Sequence, residues 1–157
     1  MTHTGTCLGG LILVLVFVLA QPARAFQNEP NNCRGMEWGT EYHKLKGFTK
    51  VTTRSSLDYY TKKGEEMSCG DARLEMVVYL FFEKKLCGVI LNFKSSPNFQ
   101  TIKAALFDQY GKGYQANRYD EKYRWAGTNV NITLEYDDIT RKGTVVYYYM
   151  PIYGKIR

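Results

Sequence analysis

Residues 72–93 read ARLEMVVYLFFEKKLCGVILNF, and this stretch decides the fold. Side chains of a strand alternate between its two faces. On that pattern Leu74, Met76, Val78, Leu80 and Phe82 share one face, and Arg73 and Glu75 begin the other. Glu83-Lys84-Lys85 is a charged turn. Cys87, Val89, Leu91 and Phe93 then form one apolar face of a returning strand. Two strands joined by so short a turn run antiparallel. Residues 130–136, VNITLEY, repeat the signal: Val130, Ile132, Leu134 and Tyr136 alternate with Asn131, Thr133 and Glu135. One face in the core and one in water is the mark of an antiparallel sheet.

Outward from these strands the pattern continues. Phe48 to Thr53 and Leu57 to Lys62 are β-branched and aromatic and predict two strands, with Lys63-Gly64 as a turn. Lys122 to Trp125 and Thr144 to Met150 predict two more. Between the meanders, Ser96-Pro97 opens a helix. Phe99, Ile102, Leu106 and Tyr110 recur at helical spacing, and Gly111 ends it. Gly35 to Gly39 predicts a short first strand, and Thr40 to Lys46 a short helix stopped by Gly47. The expected fold is α+β: one domain of antiparallel strand meanders with one short and one longer helix, arranged as two helix-plus-meander halves.

The N-terminus sets the compartment. Leu11 to Ala20 reads LILVLVFVLA, too short to span a bilayer, which needs ~20 apolar residues. Ala23-Arg24-Ala25 follows as an A-x-A cleavage site. Residues 1–25 are therefore expected to be a signal peptide cleaved after Ala25. The first ten residues carry no Lys or Arg, and an uncleaved anchor is the competing reading. Cys7 precedes the apolar run and cannot be a lipid-modified mature terminus. Residues 26–34 are expected as a flexible lead-in and 35–157 as the domain.

Composition narrows the chemistry. Aromatic content is 15%, with 13 tyrosines, which agrees with β-structure. The net charge is +6, and one unit leaves with Arg24. A modest positive charge favours anionic partners, although it also serves solubility. After cleavage Cys33, Cys69 and Cys87 remain, enough for one bridge and one free thiol. About ten residues of strand at ~3.3 Å each separate Cys69 from Cys87, so that pair is disfavoured. Cys33–Cys69 is the expected disulfide, and Cys87 a buried free cysteine.

Catalytic constellations are sparse. His43 is the sole histidine after cleavage, so sites needing several histidines are excluded. It sits between Tyr42 and Lys44 and is expected on the surface. Asp120-Glu121 and Asp137-Asp138 are expected as solvated charge rather than a glycosidase pair. Gly111-Lys112-Gly113 follows a helix instead of opening one, so it is no phosphate loop. No cofactor is expected. The best candidate for binding lies between Tyr110 and Trp125, where Lys112, Tyr114, Arg118, Tyr119, Lys122 and Arg124 mix cations with aromatic rings. The competing explanation is ordinary half-buried strand, because Tyr123 and Trp125 alternate with Lys122 and Arg124.

Cys33-Arg34-Gly35-Met36-Glu37-Trp38-Gly39-Thr40 resembles the R-G-x-x-W-G opening of small exported bacterial proteins of unknown function. The similarity runs on through the strands, the Tyr110-Gly111 helix end and Tyr123 to Trp125. It implies bacterial export and brings no catalytic residues. The alternation of helix and antiparallel strands also looks like small envelope adaptor and inhibitor folds, an analogy that does not fix function. The resulting expectation is a non-catalytic periplasmic or secreted module that binds a protein or an acidic envelope polymer, not nucleic acid, with no membrane span after cleavage. A hydrolase using carboxylates or a cysteine, and a structural envelope protein, are the alternatives.

Overall fold

Alternating strands that turn back on themselves build one large antiparallel sheet and a separate two-stranded hairpin in the computed structural model, which describes residues 26–156. Residues 1–25, expected above to be a signal peptide, lie outside the described residues. A first hairpin pairs β1 (Asn32–Cys33) with β2 (Met36–Glu37). Then come β3 (Phe48–Arg54), β4 (Leu57–Lys62), β5 (Ser68–Cys69), β6 (Ala72–Phe82) and β7 (Lys85–Lys94). Helix α1 (Ser96–Tyr110) leads to β8 (Lys122–Ala126), β9 (Val130–Asp137), β10 (Lys142–Tyr149) and a short α2 (Met150–Tyr153). The main sheet runs β3-β4-β6-β7-β10-β9-β8, and β5 pairs with β6 off that path. The chain is thus an α+β domain of two meanders, and they join where β7 pairs with β10.

The main core lies between α1 and one face of this sheet. Phe99, Ile102, Leu106 and Tyr110 all point into it, as the helical spacing requires. They meet Val89, Leu91 and Phe93 of β7, Ile132 and Leu134 of β9, and Val145 of β10, each at most 2% exposed. Phe93, Tyr136 and Phe99 form a column of stacked rings, with centroids 6.3 and 4.5 Å apart. That column fastens α1 to the sheet.

Two β-bulges overturn the expected face assignments. One falls between Leu74 and Met76 of β6. The extra residue, Glu75, reverses the alternation. Leu74, Val77, Tyr79 and Phe81 therefore face the main core, while Met76 is 46% exposed. The second sets Phe81 opposite Leu86 and Leu80 opposite Gly88, leaving Cys87 unpaired in β7. Leu86, not Cys87, joins Val89 and Leu91 in the main core. Cys87 turns to the opposite face, in a smaller cluster with Leu57, Val78 and Leu80 that Ile152 and Tyr153 of α2 cover.

Two further expectations change near the N-terminus. The Thr40–Lys46 helix shrinks to a 3-10 turn over Tyr42–Lys44. The segment 26–34 is not a loose lead-in but an arm docked on the end of the sheet. Phe26 sets its ring edge-on against Tyr110, and the Gln27 amide donates to the Tyr110 carbonyl. The Glu29 carboxylate accepts the backbone N–H groups of Thr128, Asn129 and Val130. A glycine is required beneath the arm: a Cβ on Gly127 would fall within 2.7 Å of Phe26 and Glu29. No described helix is long and apolar enough to cross a membrane.

Candidate functional site

The edge strand β8 alternates exposed and buried residues along Lys122–Ala126. Tyr123 and Trp125 pack under Phe107 of α1, with ring centroids 5.2 and 6.0 Å away. Trp125 Nε1 donates to the Gly111 carbonyl at 2.8 Å, so its polar atom is satisfied inside the core. Gly113 lies against the same indole, where any Cβ would come within 2.8 Å of the ring. These contacts turn Lys122 and Arg124 to the opposite face of the sheet.

That opposite face can be read from the pairing register. Arg124 sits beside Thr133, which sits beside Val146, Ile90 and Val78 in turn. Lys122 lies beside Glu135, then Thr144, Asn92 and Met76. The loop after α1 returns to extend the edge: Tyr114 and Arg124 exchange two backbone hydrogen bonds at 2.8 and 2.9 Å. Directly paired residues share a face. The Tyr114 ring, 70% exposed, therefore stands next to the Arg124 side chain. Hydroxyl, amide and methyl groups of Thr133, Asn131 and Val146 continue the surface inward.

The six expected binding residues are divided by this geometry. Tyr114, Lys122 and Arg124 come together on the open face. Lys122 is partly neutralised there by Glu135, 3.8 Å away. Arg124 forms no ion pair among the described residues. Arg118 and Tyr119 pack on each other in the loop, with the guanidinium 4.7 Å above the ring, so they form a unit of their own. Lys112 is exposed on the chain between Gly111 and Gly113. Sequence inspection missed Thr133 and Val146, because nothing in single-strand alternation says which strands become neighbours.

The alternative chemistries have structural occupations. His43 is exposed on its turn, with Glu41 3.4 Å away. Asp137 accepts the N–H groups of Ile139 and Thr140 and so shapes the hairpin; those bonds hold its carboxyl below the usual range. Glu121 accepts the Tyr123 hydroxyl at 2.6 Å and faces Lys103 at 3.5 Å. Burial pushes the Cys33 and Cys87 thiols up to about 12, the opposite of an activated nucleophile. No group of three or more potential ligands is gathered for a metal among the described residues.

A second concavity of about 440 Å³ lies between the arm and the first hairpin, lined by Glu29, Asn31, Glu37, Trp38, Asn129 and Tyr149. Trp38 and Tyr149 are stacked there, 5.9 Å apart and nearly parallel, and Trp38 Nε1 donates to the Pro30 carbonyl. Trp38 of the opening motif thus packs the first hairpin against the end of β10, while the Gly39 amide donates to the Leu86 carbonyl of β7. No family model matches the chain, and no curated protein or solved structure does either.

Proposed function

We propose that the protein is a non-catalytic exported module that holds an acidic envelope polymer at the β8 edge of its open sheet face. The observation that carries this reading is the pair Tyr114–Arg124. An aromatic ring at 70% exposure and a cation with no carboxylate partner among the described residues are fixed side by side by two backbone hydrogen bonds. A cation recruits anionic groups and an aromatic face stacks on rings of the same ligand. Lys122 widens the cationic strip, and Thr133 offers a hydroxyl beside it. Cys33 and Cys87 are meanwhile buried, Asp137 shapes its hairpin, and Glu121 holds the Tyr123 hydroxyl and faces Lys103. The signal-like segment 1–25 and the positive charge supply the compartment and the sign of the partner.

The test is binding of polygalacturonate, an acidic polymer of ring units, to the folded protein at low and at physiological ionic strength. Exposed charges are screened over ~8 Å in physiological salt, so affinity should fall as salt rises. Each exposed ionic contact contributes up to about 1 kcal/mol. A Lys122→Ala, Arg124→Ala double variant should then bind roughly tenfold more weakly. Salt-independent binding that survives the double substitution would place the ligand elsewhere.

A further inference from the structure

We infer that Cys33 and Cys69 are a redox-closing pair, converted to a disulfide by an external disulfide and fastening the first hairpin to the body of the sheet. Both are free thiols in this structure, and the fold brings their segments together from 36 positions apart in the chain. Arg34, next to Cys33, is the clip. Its Nε donates to Glu65 Oε1 at 2.8 Å, and its Nη1 donates to the carbonyl of Ser68, next to Cys69, at 3.0 Å. Its Nη2 reaches the Glu66 carbonyl as well. Glu65 is fixed in turn by the Tyr79 hydroxyl at 2.6 Å. Both cysteines line one cleft of about 500 Å³, with Leu91, Tyr110 and Tyr147 among its walls. Cys87 is separated from them by the sheet itself, in the cluster on the opposite face, where its Sγ donates to the Leu80 carbonyl at 3.4 Å.

The chemistry is thiol–disulfide exchange. Cys69, the more exposed of the two, attacks one sulfur of the external disulfide as its thiolate. A mixed disulfide forms, and the leaving thiolate takes up a proton. The Cys33 thiolate then attacks Sγ of Cys69, the Sγ–Sγ bond closes, and a second thiol leaves. The two protein thiols together lose two protons and two electrons, and the external disulfide gains them. Burial raises both thiols and keeps the thiolate fraction small, so closure in the folded protein is slow and the product suits a structural bond. The bond would hold β1 and Arg34 in place independently of the arm above them. This inference stands apart from the polymer-binding reading, because no residue of the open face takes part.

The experiment starts from reduced, folded protein incubated with oxidised glutathione, then alkylated in denaturant and digested without reduction. The expected result is a peptide containing Cys33 linked to one containing Cys69, lost on reduction, with Cys87 recovered alkylated. A Cys33→Ser variant should instead stop at glutathione on Cys69, and Cys87→Ser should leave the linked peptide unchanged. The variants guard against misfolding, since Cys87→Ser leaves both members of the pair intact. A Cys69–Cys87 or Cys33–Cys87 link would overturn the inference. So would full alkylation of Cys33 and Cys69 after prolonged incubation.

Discussion

Gly143→Ala should be one of the most damaging single-methyl changes in the sheet. Gly143 lies between Phe93 and Tyr136 in the register of three strands, so two aromatic neighbours flank a residue with no side chain. A Cβ there would enter the van der Waals envelope of three Phe93 ring atoms, one at 2.9 Å and two closer. Phe93 is 1% exposed and stacked on Tyr136, which is stacked on Phe99 of α1, so the ring has nowhere to swing. Overpacking a filled core costs about 1–3 kcal/mol. Replacing glycine by alanine recovers ~0.4–1 kcal/mol by restricting the unfolded chain. The steric term wins, and the net loss should be about 1–2 kcal/mol, or a melting temperature lower by roughly 3–8 °C. Urea unfolding followed by circular dichroism gives the number. The cause is tested with Phe93→Leu: the double variant should lose less than the sum of the two single losses, because the smaller side chain makes room. Stability equal to wild type in Gly143→Ala, or strict additivity in the cycle, would refute the packing of the ring column on β10.

The other predictions follow from the arm, the buried hydroxyls and thiols, and the core indole. Gly127→Ala should dislodge Phe26 and Glu29 while sparing the sheet, seen as faster hydrogen exchange at Thr128 to Val130 with little change in cooperative unfolding; protection equal to wild type would mean the arm does not depend on that contact. Stability should fall on the alkaline side. Burial lifts the Tyr110 and Tyr148 hydroxyls and the Cys33 and Cys87 thiols to about 12, and Tyr147 well above its ordinary value. The unfolded chain releases these protons first. Their contribution is therefore complete below about pH 9 and is lost as pH rises toward about 12, which denaturant melts across that range would show. Trp125→Ala should cost ~3–5 kcal/mol of stability, since it removes a buried ring and strands the Gly111 carbonyl; a variant that unfolds like wild type would contradict its place in the core.

Much of this fold is legible in single strands. The alternation of Val130 to Tyr136, the stripe Phe99-Ile102-Leu106-Tyr110 and the burial of Trp125 beside exposed Lys122 and Arg124 all follow from period alone. The bulges at Glu75 and Cys87 are not legible. A strand pattern assumes unbroken alternation, and one extra residue reverses every face beyond it. The run Val77 to Phe81 is apolar at every position, so the sequence carries no mark of where the reversal falls. The arm 26–34 reads as a polar tail because Glu29 looks like a solvated charge; its partners are backbone amides of residues a hundred positions away, which composition cannot reveal. The candidate site follows the same division. Exposure of Lys122 and Arg124 is local information, whereas the placement of Tyr114 beside Arg124 comes from the loop folding back on β8.

The reading of the open face as a polymer site is tested most directly by amide chemical-shift mapping of the folded protein during titration with polygalacturonate. Binding at the proposed site predicts progressive shifts at Tyr114, Lys122, Arg124 and the neighbouring Thr133 and Val146, reversed by added salt. Shifts confined to other surfaces, or none at saturating polymer, would contradict it.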